Sequence, residues 1–149
     1  MAKGYSAELV GVIDGTKVPD LKADGRVYGA RMRIYQATFD MAASTTKKVV
    51  GDTNVIAQIP ANEKPVAILM LASVTMGGTA TIAIGNASTP GKYRAAAIFT
   101  TANVPTPVML SSAGDDAPLS AEEEIILTVG AADLPGAGIL QCWVITSGR

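Results

Sequence analysis

The sequence contains no histidine, and among its 149 residues it has a single cysteine, Cys142. Intramolecular disulfides, zinc sites built from several cysteines and catalytic triads that depend on histidine are therefore excluded. The sequence predicts a protein that is not an enzyme and that uses no metal or cofactor. Cys142 lies in a predicted strand, where an unpaired cysteine is usually a small buried hydrophobic residue.

An excess of charge of one sign and long hydrophobic runs are also missing. The chain has 12 basic and 13 acidic residues, and this balance argues against a nucleic-acid-binding protein, which normally shows a basic excess. The most apolar run, Val66 to Val74, is far shorter than the roughly 20 residues that a membrane helix needs. The N-terminus lacks the continuous apolar stretch of a secretory signal. We expect no nucleic-acid partner, no membrane partner and a protein that stays where it is made.

What the chain does contain is a series of short β-type segments separated by turn residues. The first follows Gly29 and alternates as a strand does, with arginines and then aromatic residues on one face. We expect seven or eight strands and at most one short helix, which predicts a single-domain β-sandwich of jelly-roll type. The expected strands are "ARMRIYQATFDM", "TNVIAQIP", "VAILMLASV", "ATIAIG", "PTPVMLSS", "EEEIILTVG" and "ILQCWVITS".

Turn residues predict how these segments connect. The glycines of "MGGT", residues 76–79, are typical of a tight hairpin, and "AADLPGAG" predicts a second hairpin before the last strand. Pro90 and the alanines after it predict a short helical turn around Lys92 to Ala97. Pro105 and Pro107 suggest that their strand begins at an edge or after a bend.

Residues 1–28 differ from the rest of the chain. They mix turn formers with charges and show no sustained periodicity. We expect an extended N-terminal arm over residues 1–28, docked on its own domain or on a neighbour, with a flexible tail as the alternative, and a β-sandwich domain over residues 29–149.

Two turns share one pattern. "TIAIGNASTPG", residues 81–91, aligns without gaps with "ILTVGAADLPG", residues 126–136. Two copies are too few for a solenoid, so we interpret them as two strands, one in each sheet, that end in similar turns; chance similarity is the alternative. The glycines are then turn residues, because no nucleotide-binding glycine motif is present.

Two groups of adjacent acidic residues occur in the sequence, Asp115–Asp116 and Glu122–Glu124. A catalytic pair needs two carboxyl groups of different pKa in one cleft, and three consecutive glutamates cannot all face one another on a strand. We interpret both groups as solvated loop residues.

A basic cluster is formed by Lys92, Tyr93 and Arg94. RNA binding normally needs more aromatic residues on a charged sheet face, whereas tyrosine and arginine are enriched in protein interfaces. We predict a protein interface at this cluster, with simple solvent exposure as the alternative. The arm is the second predicted interface, and its candidate residues are Tyr5, Leu9, Val10, Val12, Ile13 and Val18.

Over roughly residues 22 to 147 the sequence resembles small head proteins of tailed bacteriophages, which are encoded near the major capsid protein. The resemblance rests on "ATIAIG" followed by "KYRAAA", and on "LTVGAADLP". It implies a jelly-roll decoration, or cement, protein that lies outside the capsid and joins neighbouring capsomers. The implied partners are the major capsid protein and further copies of this chain, as a dimer or trimer. The implied location is the capsid surface of a virion whose parts are made in the host cytoplasm.

Two other functions remain open at this point. One is a tail or baseplate β-sandwich that stacks into rings. The other is a carbohydrate-binding module, although aromatic residues make up only 5% of the chain and an exposed aromatic platform is hard to find among them.

Overall fold

The computed structural model describes residues 31–110 and 117–148. Within these ranges the chain has eight strands and no helix, which confirms the all-β prediction. The arm predicted for residues 1–28 lies outside the described residues. The strands are β1 (Arg31–Asp40), β2 (Thr53–Ile59), β3 (Lys64–Ala72), β4 (Thr81–Gly85), β5 (Arg94–Ile98), β6 (Thr106–Leu110), β7 (Glu123–Gly130) and β8 (Ile139–Gly148).

The strands form two four-stranded antiparallel sheets. The first has the order β1-β8-β3-β6 and the second has the order β2-β7-β4-β5. The pairing is nested, because β1 pairs with β8, β2 with β7, β3 with β6 and β4 with β5. This pattern results when one long antiparallel hairpin is folded over so that alternate pairs fall in opposite sheets, which is a jelly roll. The predicted architecture is confirmed.

The core lies between the two sheets because alternate residues of each strand point inward. In β7, Ile125, Leu127 and Val129 are buried, whereas Glu124 on the other face is exposed. Burial of a side chain of this size stabilises the fold by roughly 1.5–3 kcal/mol. Cys142 is fully buried in the same core, as predicted. Further core residues are Ile59, Ile68, Met70, Ile82, Ile84, Leu140 and Val144.

The aromatic part of one β1 face points toward the interior, whereas the two arginines of that face, Arg31 and Arg33, are exposed. Tyr35 and Phe39 pack against the core. On the opposite face Met32 and Ile34 are 63% and 66% exposed. Because both faces of β1 carry apolar residues, alternation alone could not identify the buried one.

The helical turn predicted around Lys92 to Ala97 is wrong. Arg94–Ile98 is strand β5, which pairs with β4. A helix this short is marginal by itself, so pairing with a neighbouring strand overrides the helix propensity of the alanines.

The two predicted hairpins are also wrong. Residues 76–79 lie between β3 and β4, and residues 131–138 join β7 to β8, but each connection crosses from one sheet to the other. Gly77 has a φ of 103°, as a tight turn requires. Turn residues predict that the chain reverses direction, but they do not predict which sheet the next strand joins. By contrast, β6 is an edge strand, as its prolines predict.

The two similar turns follow strands of one sheet and not of two. β4 and β7 are antiparallel neighbours, with Gly85 paired with Ile126 and Thr81 paired with Gly130. In each copy of the pattern the glycine therefore stands opposite the first residue of the other copy. The two turns consequently lie at opposite ends of the sandwich.

Candidate protein interface

One end of the sandwich contains the start of β1 and the loop that carries the predicted basic cluster. β1 starts where β8 ends, since Arg31 pairs with Gly148. The connections β2–β3 and β4–β5 and the start of β7 lie at this same end. We call it the Arg31 end. Among the predicted interface residues, Lys92 and Tyr93 lie in the β4–β5 loop and Arg94 begins β5. The arm candidates Tyr5, Leu9, Val10, Val12, Ile13 and Val18 lie outside the described residues.

The β4–β5 loop is folded tightly over the end of β4. The Asn86 carboxamide oxygen accepts hydrogen bonds from the Thr89 amide at 2.7 Å and the Ser88 hydroxyl at 2.8 Å. The Thr89 carbonyl accepts hydrogen bonds from the amides of Asn86 and Lys92, both at 3.1 Å. A side chain that bonds to the backbone a few residues ahead fixes a turn in this way. The loop therefore presents Lys92 and Tyr93 in a defined position.

Glu123 anchors this loop to the second sheet. Its carboxylate accepts hydrogen bonds from Lys92, Tyr93 and, at 3.1 Å, the Asn86 amide group. The Lys92 ammonium group also lies 5.0 Å from the centre of the Tyr93 ring. Glu123 was predicted to be a solvated loop residue, which is wrong, because its side chain is only 15% exposed. Glu122 and Glu124 are exposed as predicted, although Glu124 lies in β7 and not in a loop. The other predicted group, Asp115–Asp116, lies outside the described residues.

The side chains that bind Glu123 lower the pKa of its carboxyl group. Burial by itself raises the pKa of its carboxyl group, but the hydrogen bonds from Lys92, Tyr93 and Asn86 and the charge of Lys92 outweigh burial, so the pKa is lowered. A lowered pKa means that the carboxylate contributes stability above the ordinary glutamate pKa of about 4.3 and loses it as the pH falls through the lower folded value.

We expect Glu123→Gln to lower the free energy of unfolding by about 1–2 kcal/mol at pH 7, a value reduced by the partial exposure of Lys92. This difference from the wild type should shrink as the pH falls below about 4.3, because the unfolded chain takes up a proton first and the folded carboxylate follows only at its lower pKa. Urea denaturation at pH 7, 5 and 3 measures it, with Glu124→Gln as the exposed control. A difference of the same size at pH 3 would show that Glu123 acts through its shape and not its charge.

Arg94 binds backbone carbonyl groups of its own sheet. Its guanidinium donates hydrogen bonds to the carbonyl oxygens of Ile82, Ala97 and Ile98. Partial burial lowers the pKa of Arg94 from its usual value. Carbonyl groups around the irregular β4–β5 pairing are thereby satisfied. Tyr93 is partly buried against the core and its hydroxyl is bound to Glu123, so neither Tyr93 nor Arg94 is a freely exposed member of the cluster.

A second buried carboxylate at the Arg31 end belongs to Glu63, which precedes β3. Its side chain is 6% exposed. It accepts hydrogen bonds from Arg33, from the Tyr35 hydroxyl at 3.0 Å and from the Thr146 hydroxyl at 2.6 Å. Burial, followed by the bond to Glu63, raises the pKa of Tyr35. Glu63 thus ties the β2–β3 connection to β1 and β8, close to the residue at which β1 starts.

The single cysteine of the chain, Cys142, is buried in the core. Burial raises the pKa of Cys142 to about 12, so its thiol is protonated at neutral pH and is not a nucleophile. In the described ranges no three acidic or cysteine residues are grouped to hold a metal ion, and no helix could cross a membrane.

Comparison with known proteins identifies the fold. No protein-family model matches the chain, and no curated protein matches it. A chain of the cyanophage Pam1 capsid asymmetric unit has a TM-score of 0.61 and 14% identity, over 87% of this chain and 93% of its own length. A chain of the Ralstonia phage GP4 capsid has a TM-score of 0.56 and 17% identity, over 89% of this chain and 90% of its own length. A chain of the acidic stable capsid of Helicobacter pylori bacteriophage KHP30 has a TM-score of 0.53 and 11% identity, over 78% of this chain and 86% of its own length. The jelly roll described above is therefore a fold that occurs in phage capsids.

Proposed function

We propose that this chain is a structural protein of a tailed-phage virion, which binds the outside of the capsid and stabilises the head by joining neighbouring capsomers. The observation that carries this proposal is the fold shared with chains of three phage capsid structures. The alignments cover most of both chains, so the matched capsid chains are similar in length to this one and consist largely of the same jelly roll.

The mechanism depends on binding energy alone. A standard protein interface buries about 1,200–2,000 Å². A protein that contacts two capsomers resists their separation, and repetition over the capsid lattice multiplies a modest contact. The proposed partners are the major capsid protein and further copies of this chain, as a dimer or trimer. The proposed contacts are the arm, residues 5–18, and the basic cluster of Lys92, Tyr93 and Arg94.

The copy number of this chain in purified particles tests the proposal. Quantitative mass spectrometry of gradient-purified particles from the source should find this chain and the most abundant shell protein in copy numbers of the same order of magnitude. Such a ratio follows because a protein that joins capsomers must occupy sites all over the lattice. A ratio of a few per cent would place the chain in the tail or at a vertex. Its complete absence from particles would favour a free binding module and refute the proposal.

A further inference from the structure

The outer face of the first sheet, β1-β8-β3-β6, carries apolar side chains that lie side by side. Residues paired across neighbouring strands share a face of the sheet. Ile68 and Val144 point into the core, so the residues next to them along β3 and β8 point outward. Two adjacent outward rows cross the sheet in register. The first row consists of Gln36, Trp143, Leu69 and Pro107, and the second consists of Ile34, Ile145 and Ala67.

The same alternation adds Met32 on β1 and Leu71 on β3 to this surface. Met32 and Ile34 are 63% and 66% exposed, and Trp143, in the middle of the face, is partly exposed. We call this surface the tryptophan face. Its apolar members are Met32, Ile34, Ala67, Leu69, Leu71, Pro107, Trp143 and Ile145.

The outer face of the second sheet is mainly polar or small. One of its rows consists of Thr53, Thr128 and Ala83, and another pairs Gln58 with Glu124. Its large exposed apolar side chains, Val55 and Ile98, lie on the two opposite edge strands. An antiparallel sheet whose outer face meets water normally carries polar residues there, as the second sheet does. The tryptophan face departs from this pattern.

The two inner strands of the first sheet have the sequence of strands that are covered on both faces. β3 contains "VAILMLA", residues 66–72, and its neighbour β8 contains "CWVI", residues 142–145. A strand with one face in water alternates between apolar and polar residues, whereas an uninterrupted apolar run is typical of a strand with both faces buried. We therefore expect a partner on the tryptophan face.

The dimensions of the tryptophan face favour another sheet over a single segment as that partner. At a strand spacing of about 4.8 Å and a rise of about 3.3 Å per residue, the first sheet covers roughly 500 Å². One extended segment, such as part of residues 1–30, would cover about one strand width of it. Two such faces would together bury about 1,000 Å², the lower limit for a specific interface. Sheets pack with their strands nearly aligned because each is twisted, and two copies of one sheet have the same twist.

The charges and the exposure of the tryptophan face favour a second copy of this chain. Among the described residues, its charged side chains lie at its borders, with Lys64 opposite Ser147 at one end and Asp40 opposite Ile139 at the other. Two such faces can therefore meet without burying like charges at their centre. A partner present only on the shell would leave the face in water until assembly, and a large exposed apolar patch promotes aggregation. A second copy is available as soon as the chain is made.

We infer that the tryptophan face is the surface through which two copies of this chain pair, each placing its first sheet against that of the other. The inference goes beyond the proposed function, which names a dimer or trimer without a surface, and it does not depend on where in the virion the chain lies. An isologous contact of this kind places the same side chains of both copies around a twofold axis. The modest area predicts a dissociation constant in the micromolar range.

The full-length wild-type chain provides the first test. Sedimentation velocity over a concentration series should show a monomer that converts to a dimer. Trp143 is the single tryptophan of the chain, so its fluorescence reports on this face directly. Over the same concentration range its emission should shift to shorter wavelength and its quenching by acrylamide should fall, because the second copy removes it from water.

A matched pair of double variants provides the second test. Met32→Lys with Ile34→Lys places two charges in the proposed contact, and we expect the apparent dissociation constant of the dimer to rise at least about tenfold. The control is Val55→Lys with Ile98→Lys, because both residues are about half exposed and lie on the outer face of the second sheet. The control should associate like the wild type. Both variants should keep the wild-type circular dichroism spectrum, since all four side chains are exposed.

The other outcomes overturn the inference in recognisable ways. A dimer that forms without a change at Trp143 uses another surface. If Trp143 is already shielded in the monomer at the lowest concentration, the chain covers this face itself. If the chain stays monomeric and Trp143 becomes shielded only when capsids are added, the occupant is the shell protein. The proposed function is tested separately by the copy number in particles, so either can fail alone.

Discussion

Gly85→Ala is expected to lower the free energy of unfolding by about 3 kcal/mol or more, at the upper end of the cost of overpacking. A Cβ atom at Gly85 would lie 2.1 Å from the Thr89 carbonyl oxygen and 2.6 Å from the Pro90 carbonyl carbon. Both contacts are with backbone that the Asn86 hydrogen bonds hold in place. Relief of the overlap therefore requires the whole β4–β5 loop to open, which also separates Lys92 and Tyr93 from Glu123.

Urea denaturation of Gly85→Ala measures this effect, and Gly78→Ala is the matched control. Gly78 has no atom within 4 Å of its Cβ position, so alanine there should be neutral or slightly stabilising, because it reduces the entropy of the unfolded chain. Equal stability of the two variants would mean that the loop does not return over Gly85 in solution.

Glu63→Ala is expected to lower the free energy of unfolding by about 2–4 kcal/mol. The loss follows because Thr146, which is fully buried, and Tyr35 both give up their charged acceptor, and an unsatisfied buried donor costs about 1–3 kcal/mol. Arg33 adds little to this loss, since its side chain is 44% exposed and can be hydrated.

Two comparisons make the Glu63 prediction specific. Glu63→Gln keeps the shape and one acceptor oxygen, so it should be less destabilising than alanine. Glu124→Ala removes an exposed glutamate and should change stability by no more than about 0.5 kcal/mol. If Glu63→Ala lowered the free energy of unfolding as little as Glu124→Ala does, the buried network would contribute nothing to the attachment of β1.

The position of Glu123 could have been recovered from the sequence. Residues two apart on a strand share a face, so Glu123 lies on the same face as Ile125, Leu127 and Val129, which are buried. A glutamate on that face at the end of a strand needs partners, and Lys92 and Tyr93 supply them. The neighbouring Glu122 and Glu124 obscure this alternation in the sequence, because the three glutamates form one charged run.

Glu63 could not have been recovered in this way. Its partners Arg33, Tyr35 and Thr146 are 30, 28 and 83 residues away, and no local pattern connects them. They meet because β1 and β8 pair in register, with Arg33 opposite Thr146, and because the β2–β3 connection closes over that end of the pair.

The amino-acid sequence by itself determined the class of the fold, the positions of most strands and the burial of Cys142, because alternation and turn residues act over a few neighbouring positions. It also excluded histidine-dependent chemistry. Only the tertiary structure decided that the predicted hairpins are crossovers, that the alanines after Arg94 form a strand and that the two similar turns lie at opposite ends of one sheet. Nested pairing of distant strands sets these outcomes, and the free energy of that pairing and of core burial exceeds the local preferences of short segments. The same pairing brought Glu63 to its donors.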